Sequence, residues 1–192
     1  MEMDRRTLIG AVSALLLPGA AAAERLKIDN PRQRAIASVW PSLEAAPYVR
    51  VPPSRADSVA TIYMFSNKGC VTCQALHRQI PDGFPGADMR YVVMPWGSDD
   101  RATLNHLYAD RRAASYFAYM AGRLAVPRNA RLPDRVPAMS ALAKKVGDTL
   151  ITNGMGTPYF LIRLWDAPNQ AAIYLAGSVS SPGIAEQLRL SR

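Results

Sequence analysis

Val59-Ala60-Thr61-Ile62-Tyr63-Met64-Phe65 runs into Ser66-Asn67-Lys68-Gly69 and then into Cys70-Val71-Thr72-Cys73-Gln74-Ala75-Leu76-His77. The first seven residues are apolar, β-branched or aromatic, and have the length of a buried strand. The next four carry turn-forming side chains. From Cys70 to Ile80 the spacing predicts a helix, which Pro81 ends. A strand, a loop and a C-x-x-C pair opening a helix is a far more specific arrangement than C-x-x-C alone.

The spacing has a mechanical consequence. Residues three apart on a helix face the same way, with Cβ atoms ~5–6 Å apart. A slightly tightened first turn brings two such sulfurs to bonding distance. Cys70 falls at the free end of the helix, where unpaired amides and the dipole favour a thiolate. Cys73 falls one turn deeper. That asymmetry suits Cys70 to attack a substrate disulfide and Cys73 to resolve the mixed disulfide. Other uses of the pair stay open. A structural disulfide at this spacing closes almost no loop and adds little stability. A metal site could draw on Cys70, Cys73 and His77, but the other histidine, His106, falls in a different helix. Haem attachment needs a histidine after the second cysteine, where Gln74 stands. With 2 cysteines in all, a multi-bridge scaffold and a four-cysteine zinc site are excluded.

Downstream, Met89-Arg90-Tyr91-Val92-Val93-Met94 reads as a second strand, closed by Pro95. Asp99 to Arg123 has helical spacing, with Leu104, Leu107, Tyr108, Tyr116, Phe117 and Met120 as candidate core positions. A loop rich in Arg and Pro follows (Arg123, Pro127, Arg128, Arg131, Pro133, Arg135). Val136 to Leu150 predicts another helix, with Met139, Leu142, Val146 and Leu150 recurring at three and four. Pro158 to Leu164 and Ala171 to Leu175 read as strands, with a turn at 166–169 between them, and Ser181 to Leu190 as a terminal helix. Gly154-Met155-Gly156-Thr157-Pro158 opens the third strand; a tight turn with a cis proline and an ordinary trans proline at a strand start both fit it.

Upstream, residues 24–58 form a preface punctuated by Pro31, Pro41, Pro47, Pro52 and Pro53. Asp29-Asn30-Pro31 signals a helix start, and the helix is expected to run to about Trp40, where Pro41 stops it. The remainder reads as a proline-rich arm. Residues 1–23 have the three-part layout of a secretory signal peptide. Arg5-Arg6 supplies the positive region, 8–17 the apolar region, and Ala21-Ala22-Ala23 the small-residue cleavage site. Arg5-Arg6-Thr7-Leu8 resembles a twin-arginine signal. Asp4 and Gly10 depart from that pattern, so the general secretory route stays open as well. The expected compartment is the periplasm, where thiols can stay oxidised.

The composition fits this layout. The 192 residues are 49% hydrophobic and 20% charged, which suits one globular domain and excludes a disordered chain. Net charge is +8, from 23 Lys+Arg against 15 Asp+Glu. All basic residues except Lys27, Lys68, Lys144 and Lys145 are arginines, and they are scattered rather than gathered on one face. No nucleic-acid-binding motif accompanies them, so no nucleic-acid partner is expected.

Taken together, residues 59–190 resemble the thioredoxin superfamily, in particular the catalytic domains of periplasmic disulfide isomerases of the DsbC/DsbG type. The matching pieces are the strand 59–65, Cys70-x-x-Cys73-x-x-Leu76-His77, the run Met89 to Pro95, the helical insert, and Gly156-Thr157-Pro158. The resemblance implies an α/β, thioredoxin-like fold: a mixed central sheet with helices on both faces and a helical insertion. It implies that Pro158 is cis, lies beside the disulfide, and with Thr157 helps hold an extended substrate strand. His77 matches a family position, but a helix-surface or packing role explains it better than catalysis does. The pair Val71-Thr72 departs from the best-known members, and the preface is shorter than the dimerisation domain of the family's isomerases.

The expected layout is a signal peptide at 1–23, an arm at 24–58 and a thioredoxin-like domain at 59–192. The expected function is an exported thiol–disulfide oxidoreductase, isomerase or reductase, acting on exported proteins that contain cysteines, with catalytic Cys70 and Cys73. It would need a membrane or periplasmic redox partner, no cofactor and no metal, and the short preface predicts a monomer. A dithiol oxidant uses the same residues; a non-enzymatic chaperone or metal-handling module of the same fold is the third reading.

Overall fold

The computed structural model describes residues 24–25, 31–53, 59–81, 83–95, 100–127, 131–150, 158–164 and 173–176. The expected signal segment, Thr157, the turn at 166–169 and the terminal helix at 181–190 lie outside the described residues.

The strand expected at 59–65 is β3 (Ala60–Ser66), and all seven of its residues are buried. It pairs in parallel with β4 (Ala87–Val93) and antiparallel with β5 (Tyr159–Leu164). Around this centre lie β2 (Val49–Val51), β6 (Ile173–Ala176) and β1 (Glu24–Arg25), in the order β1-β6-β5-β3-β4-β2. One parallel pair among antiparallel ones makes the sheet mixed. The parallel pair needs a crossover, which α2 (Val71–Gln79) supplies. Among the described residues between β4 and β5 stand three helices, α3 (Arg101–Asp110), α4 (Ala113–Met120) and α5 (Val136–Leu150). Alternation along the strands gives the sheet two different faces. On one, Trp40 of α1 (Pro31–Ala45) meets Tyr63 edge-on at 5.2 Å, and α1 packs on α5. On the other, Tyr116 of α4 stacks on Tyr91 at 4.4 Å. The expected α/β class, with helices on both faces and a helical insertion, is what forms.

Three local expectations need correction. Helix α1 does not stop at Pro41 but continues to Ala45 with the proline inside it. Pro41 and Ala37 are both exposed, so the carbonyl left without a donor faces water, while Val39, Trp40 and Leu43 stay buried on the other side. The arm after α1 is not an arm. Val49–Val51 pairs with β4 as an edge strand, burying both valines, and Pro47, Pro52 and Pro53 bracket the strand instead of interrupting it. The described parts of 24–58 therefore share the sheet and core of the rest.

The third correction is the single helix expected over 99–123, which is two. Asp100 caps α3 by accepting from the Thr103 amide at 2.9 Å. The helix ends at Arg111, which adopts left-handed backbone (φ 54) and returns its amide to the Leu107 carbonyl. The Asp110 carboxylate then receives the Arg112 guanidinium at 2.6 Å and the Ser115 hydroxyl, starting α4 in a new direction. The redirection carries Tyr116, Tyr119 and Met120 into the core.

Among the described residues Arg111 is the one non-glycine with positive φ. A side chain in that conformation costs about 1 kcal/mol, against which stand a 3.3 Å bond from its Nε to the Tyr108 carbonyl and glycine's extra freedom in the unfolded chain. Arg111→Gly is therefore expected to raise stability by about 0.5 kcal/mol, whereas Arg111→Ala, which keeps a Cβ, gives no gain. Urea denaturation of the two variants checks the difference in sign.

Candidate active site

The end of β3 and the start of α2 are joined by a short loop that is hydrogen-bonded on both sides. The Asn67 side chain accepts from the Gly69 amide at 2.7 Å and donates to the Met94 carbonyl at 2.8 Å. Its own carbonyl accepts from the Cys70 amide at 3.0 Å. A Cβ on Gly69 would stand 3.1 Å from Asn67 Oδ1, so the absence of one lets the carboxamide fold under the loop. Gln74, in the first turn of α2, donates to the Lys68 carbonyl at 2.5 Å and closes the loop from the other side. The result ties the cysteine turn to both β3 and the end of β4.

Cys70 is the N-cap of α2, with extended backbone, and its Sγ accepts from the Cys73 amide at 3.0 Å. Cys70 and Cys73 form a disulfide, with Cα atoms 5.2 Å apart. The two sulfurs differ in access: Cys70 is half-buried against the core, whereas Cys73 is fully buried. Between them Val71 is 74% exposed, the one large apolar side chain so exposed among the described residues. An anion at Cys70 would lie against the free amides of the helix start, a contribution of about 0.3–1 kcal/mol in its favour.

The buried face of α2 continues from Cys73 to Leu76 and His77. His77 Nε2 lies 2.6 Å from Tyr116 Oη, which lies 2.6 Å from Ser66 Oγ. His77, Tyr116 and Ser66 are all buried. Tyr91 and Phe117 surround the imidazole, with ring centroids at 5.1 and 5.8 Å. Burial pushes the His77 imidazole down to about 4 and the Tyr116 phenol well above its usual range. His77 Nδ1 has no hydrogen-bond partner among the described residues.

Pro158 is buried and immediately precedes β5. Tyr159 is paired with Phe65, so the register carries Pro158 to the level of Ser66, at the sheet end from which the cysteine loop departs. Among the described residues no three His, Cys, Asp or Glu side chains gather as a metal-ligating group.

No protein-family model matches the chain, and no curated protein does. Solved structures match. The catalytic domain of Proteus mirabilis ScsC has a TM-score of 0.57 at 17% identity, covering 83% of this chain and 97% of that one. The fold is thioredoxin-like. The thiol-disulfide exchange protein α-DsbA2 from Wolbachia pipientis gives 0.57 at 13% identity, covering 85% and 97%. A periplasmic thioredoxin-like protein from Salmonella enterica serovar Typhimurium gives 0.54 at 13%, covering 80% and 95%. These likenesses establish the thioredoxin-like fold. The finer likeness to the DsbC/DsbG type is carried by the sequence motifs alone.

The thioredoxin-like chain thus brings Cys70, Cys73 and Pro158 to one end of the sheet, and Thr157 lies outside the described residues. Sequence reasoning passed over Ser66 and Asn67, and took Tyr116 only as core. The available signal was His77, four residues after Cys73 and hence on the same helix face; nothing local marks Ser66 or Tyr116 as its partners.

A neutral buried His77 makes stability depend on pH. In the unfolded chain the imidazole takes up its proton near pH 6.5, but in the folded chain only near 4. Its contribution is therefore complete above pH 6.5 and is lost as pH falls from 6.5 towards 4, at about 1.4 kcal/mol per pH unit. Urea midpoints at several pH values across that window are expected to fall in the wild type and to fall less in His77→Gln.

Proposed function

We propose that this chain is an exported thiol–disulfide oxidoreductase that exchanges disulfides with proteins through Cys70 and Cys73, as a reductase or isomerase. The single observation that carries the reading is the unequal placement of two bonded sulfurs at one helix start. Cys70 is accessible and Cys73 is fully buried behind it. In the reduced protein, the Cys70 thiolate attacks a substrate disulfide. A bond forms between Cys70 and one substrate sulfur, and the other substrate sulfur leaves as a thiolate. Cys73 then attacks Cys70 Sγ, closing the disulfide and releasing the second substrate thiolate, so the substrate gains the two electrons the dithiol loses. A redox partner of the same compartment restores the dithiol. Neighbours described as a thiol-disulfide exchange protein and as a periplasmic thioredoxin-like protein support both the chemistry and the compartment.

Thr157 and Pro158 are proposed to hold an extended substrate segment beside the disulfide. Val71, exposed between the cysteines, gives that segment an apolar contact. Export rests on the signal-like segment 1–23; among the described residues no helix is long and apolar enough to cross a membrane.

Removing the resolving thiol should trap the intermediate. Cys73→Ala, produced with its export signal, is expected to accumulate adducts with exported proteins on non-reducing gels. These should vanish with reductant and be absent in Cys70→Ala. A Cys73→Ala protein without adducts would favour a non-enzymatic role.

The protein is also proposed to be a monomer. Val39, Trp40, Leu43, Val49 and Val51 of the preface are buried in its own core, so these described side chains are not free to form the large face of an obligate dimer. Light scattering of the processed protein near 50 µM, about the scale on which weak dimers form, is expected to give the monomer mass. A stable dimer would overturn this reading and would mean that residues 24–58 form an interface.

A further inference from the structure

His77 is the one buried titratable group of the cysteine helix that the exchange steps leave unused, and its two ring nitrogens differ. Nε2, at the far end of the ring, is held by Tyr116 Oη at 2.6 Å, and Tyr116 is held in turn by Ser66 Oγ at 2.6 Å. Nδ1, at the near end, is buried without a hydrogen-bond partner among the described residues. The chain of bonds can run in two directions. If Tyr116 donates to Nε2, Nδ1 carries the proton and is a buried, unanswered donor. If Nε2 donates to Tyr116, which donates to Ser66, Nδ1 is a bare lone pair. An orphaned buried N–H is the rarer and costlier outcome, so the second direction is favoured. The imidazole is then a fixed ring with an open proton-accepting site.

That site belongs to the turn of Cys73. Helical side chains lean toward the preceding turn, and residues four apart stack on one face. Cys73 is four residues before His77, and both are buried on the inner face of α2. A fully buried thiol cannot give its proton to bulk water, and a buried thiolate alone is disfavoured by desolvation. The rings around the imidazole are Tyr91 from β4 and Tyr116 and Phe117 from α4, with Ser66 of β3 reached through Tyr116, and Cys73 lies one turn earlier on the same buried face of its own helix. Burial is the one cause of the depressed imidazole basicity, with no carboxylate or cation contributing.

We propose that His77 is the proton acceptor for Cys73 in the resolving step, with Tyr116 and Ser66 as its positioning residues. The inference rests on the exchange reading above. Cys73–SH gives its proton to His77 Nδ1, the resulting thiolate attacks Cys70 Sγ, the Cys70–Cys73 bond forms, and the substrate sulfur leaves with the electron pair of the broken bond. The proton then passes from the imidazolium to solvent or to the departing thiolate. The thiolate and the imidazolium offset each other while both are buried.

The test uses the reduced, processed protein and the chromogenic disulfide dithiobis(nitrobenzoate). One coloured thiolate is released when Cys70 attacks, and a second when Cys73 resolves. His77→Gln is expected to release the first at the wild-type rate and the second roughly 100-fold more slowly near neutral pH. The lost rate should return as pH rises past the ordinary thiol value of about 8.5, above which burial holds an unassisted Cys73. Equal slowing of both phases, or a second phase with the wild-type rate and pH profile, would overturn the inference. Should His77→Gln not fold, Tyr116→Phe carries the test: selective slowing of the second phase supports the relay, and an unchanged second phase refutes it. A wild type that releases no coloured thiolate at all would instead refute the exchange reading, and this inference with it.

Discussion

The pairing of β3 on both its edges is the constraint from which the site follows. Every residue of Ala60–Ser66 is buried, with β4 hydrogen-bonded along one side and β5 along the other. A strand so enclosed has no freedom of register, because a slip of one residue would exchange the side chains of the two faces. Tyr63 and Phe65 are thereby committed to one face, and Met64 and Ser66 to the other. The end of the strand is fixed as well, and the cysteine loop starts there. Pro158 reaches the same place because β5 is held in antiparallel register with the same strand.

The loop converts that fixed end into two unlike sulfurs. Asn67 spends its side chain on the Gly69 amide and the Met94 carbonyl, and its backbone carbonyl on the Cys70 amide. Cys70 is thus delivered as the cap of α2, with its sulfur at the mouth of the helix, and helical geometry alone then places Cys73 on the inner side. Asymmetry between the two sulfurs needs no further device. It is the ordinary difference between a cap and the third helical residue when one side of the helix lies on a sheet.

Much of this was legible because it is local. The apolar run of β3, the C-x-x-C pair at a helix start, α5 with its recurring apolar positions, and the strand after Pro158 are all written in consecutive residues. What escaped is non-local. Pro41 sits inside α1 because the neighbouring turn is solvated and three large side chains are buried on the opposite side, and the sequence of the helix alone does not say which side faces the core. Val49–Val51 becomes a strand because β4 has an open edge with Asp88 ready to receive Arg50 at 2.7 Å. Arg111 breaks the insertion because Tyr116 must reach Ser66, fifty residues earlier in the chain. Each case turns on a partner remote in sequence.

The two faces of the sheet handle buried polarity differently, and the difference bears on where chemistry can occur. On the face that carries α1, Asp88 is buried to 2% side-chain exposure between the guanidinium groups of Arg50 and Arg90, while Arg90 donates to Tyr63 Oη at 2.6 Å. Burial pushes the Tyr63 phenol up to about 12, so it stays a neutral acceptor. Those charges satisfy one another, and a buried carboxylate left without its partners would be costly. Beneath the cysteines the polar groups are instead a hydroxyl, a phenol and an imidazole, all neutral at ordinary pH. A neutral chain is cheaper to bury than a carboxylate and leaves no fixed charge beside the disulfide when it is closed. It can still take up a proton when a thiol beside it must ionise. One face of β3 therefore holds the fold with standing charges, and the other keeps its polar groups uncharged until a sulfur on α2 calls for one.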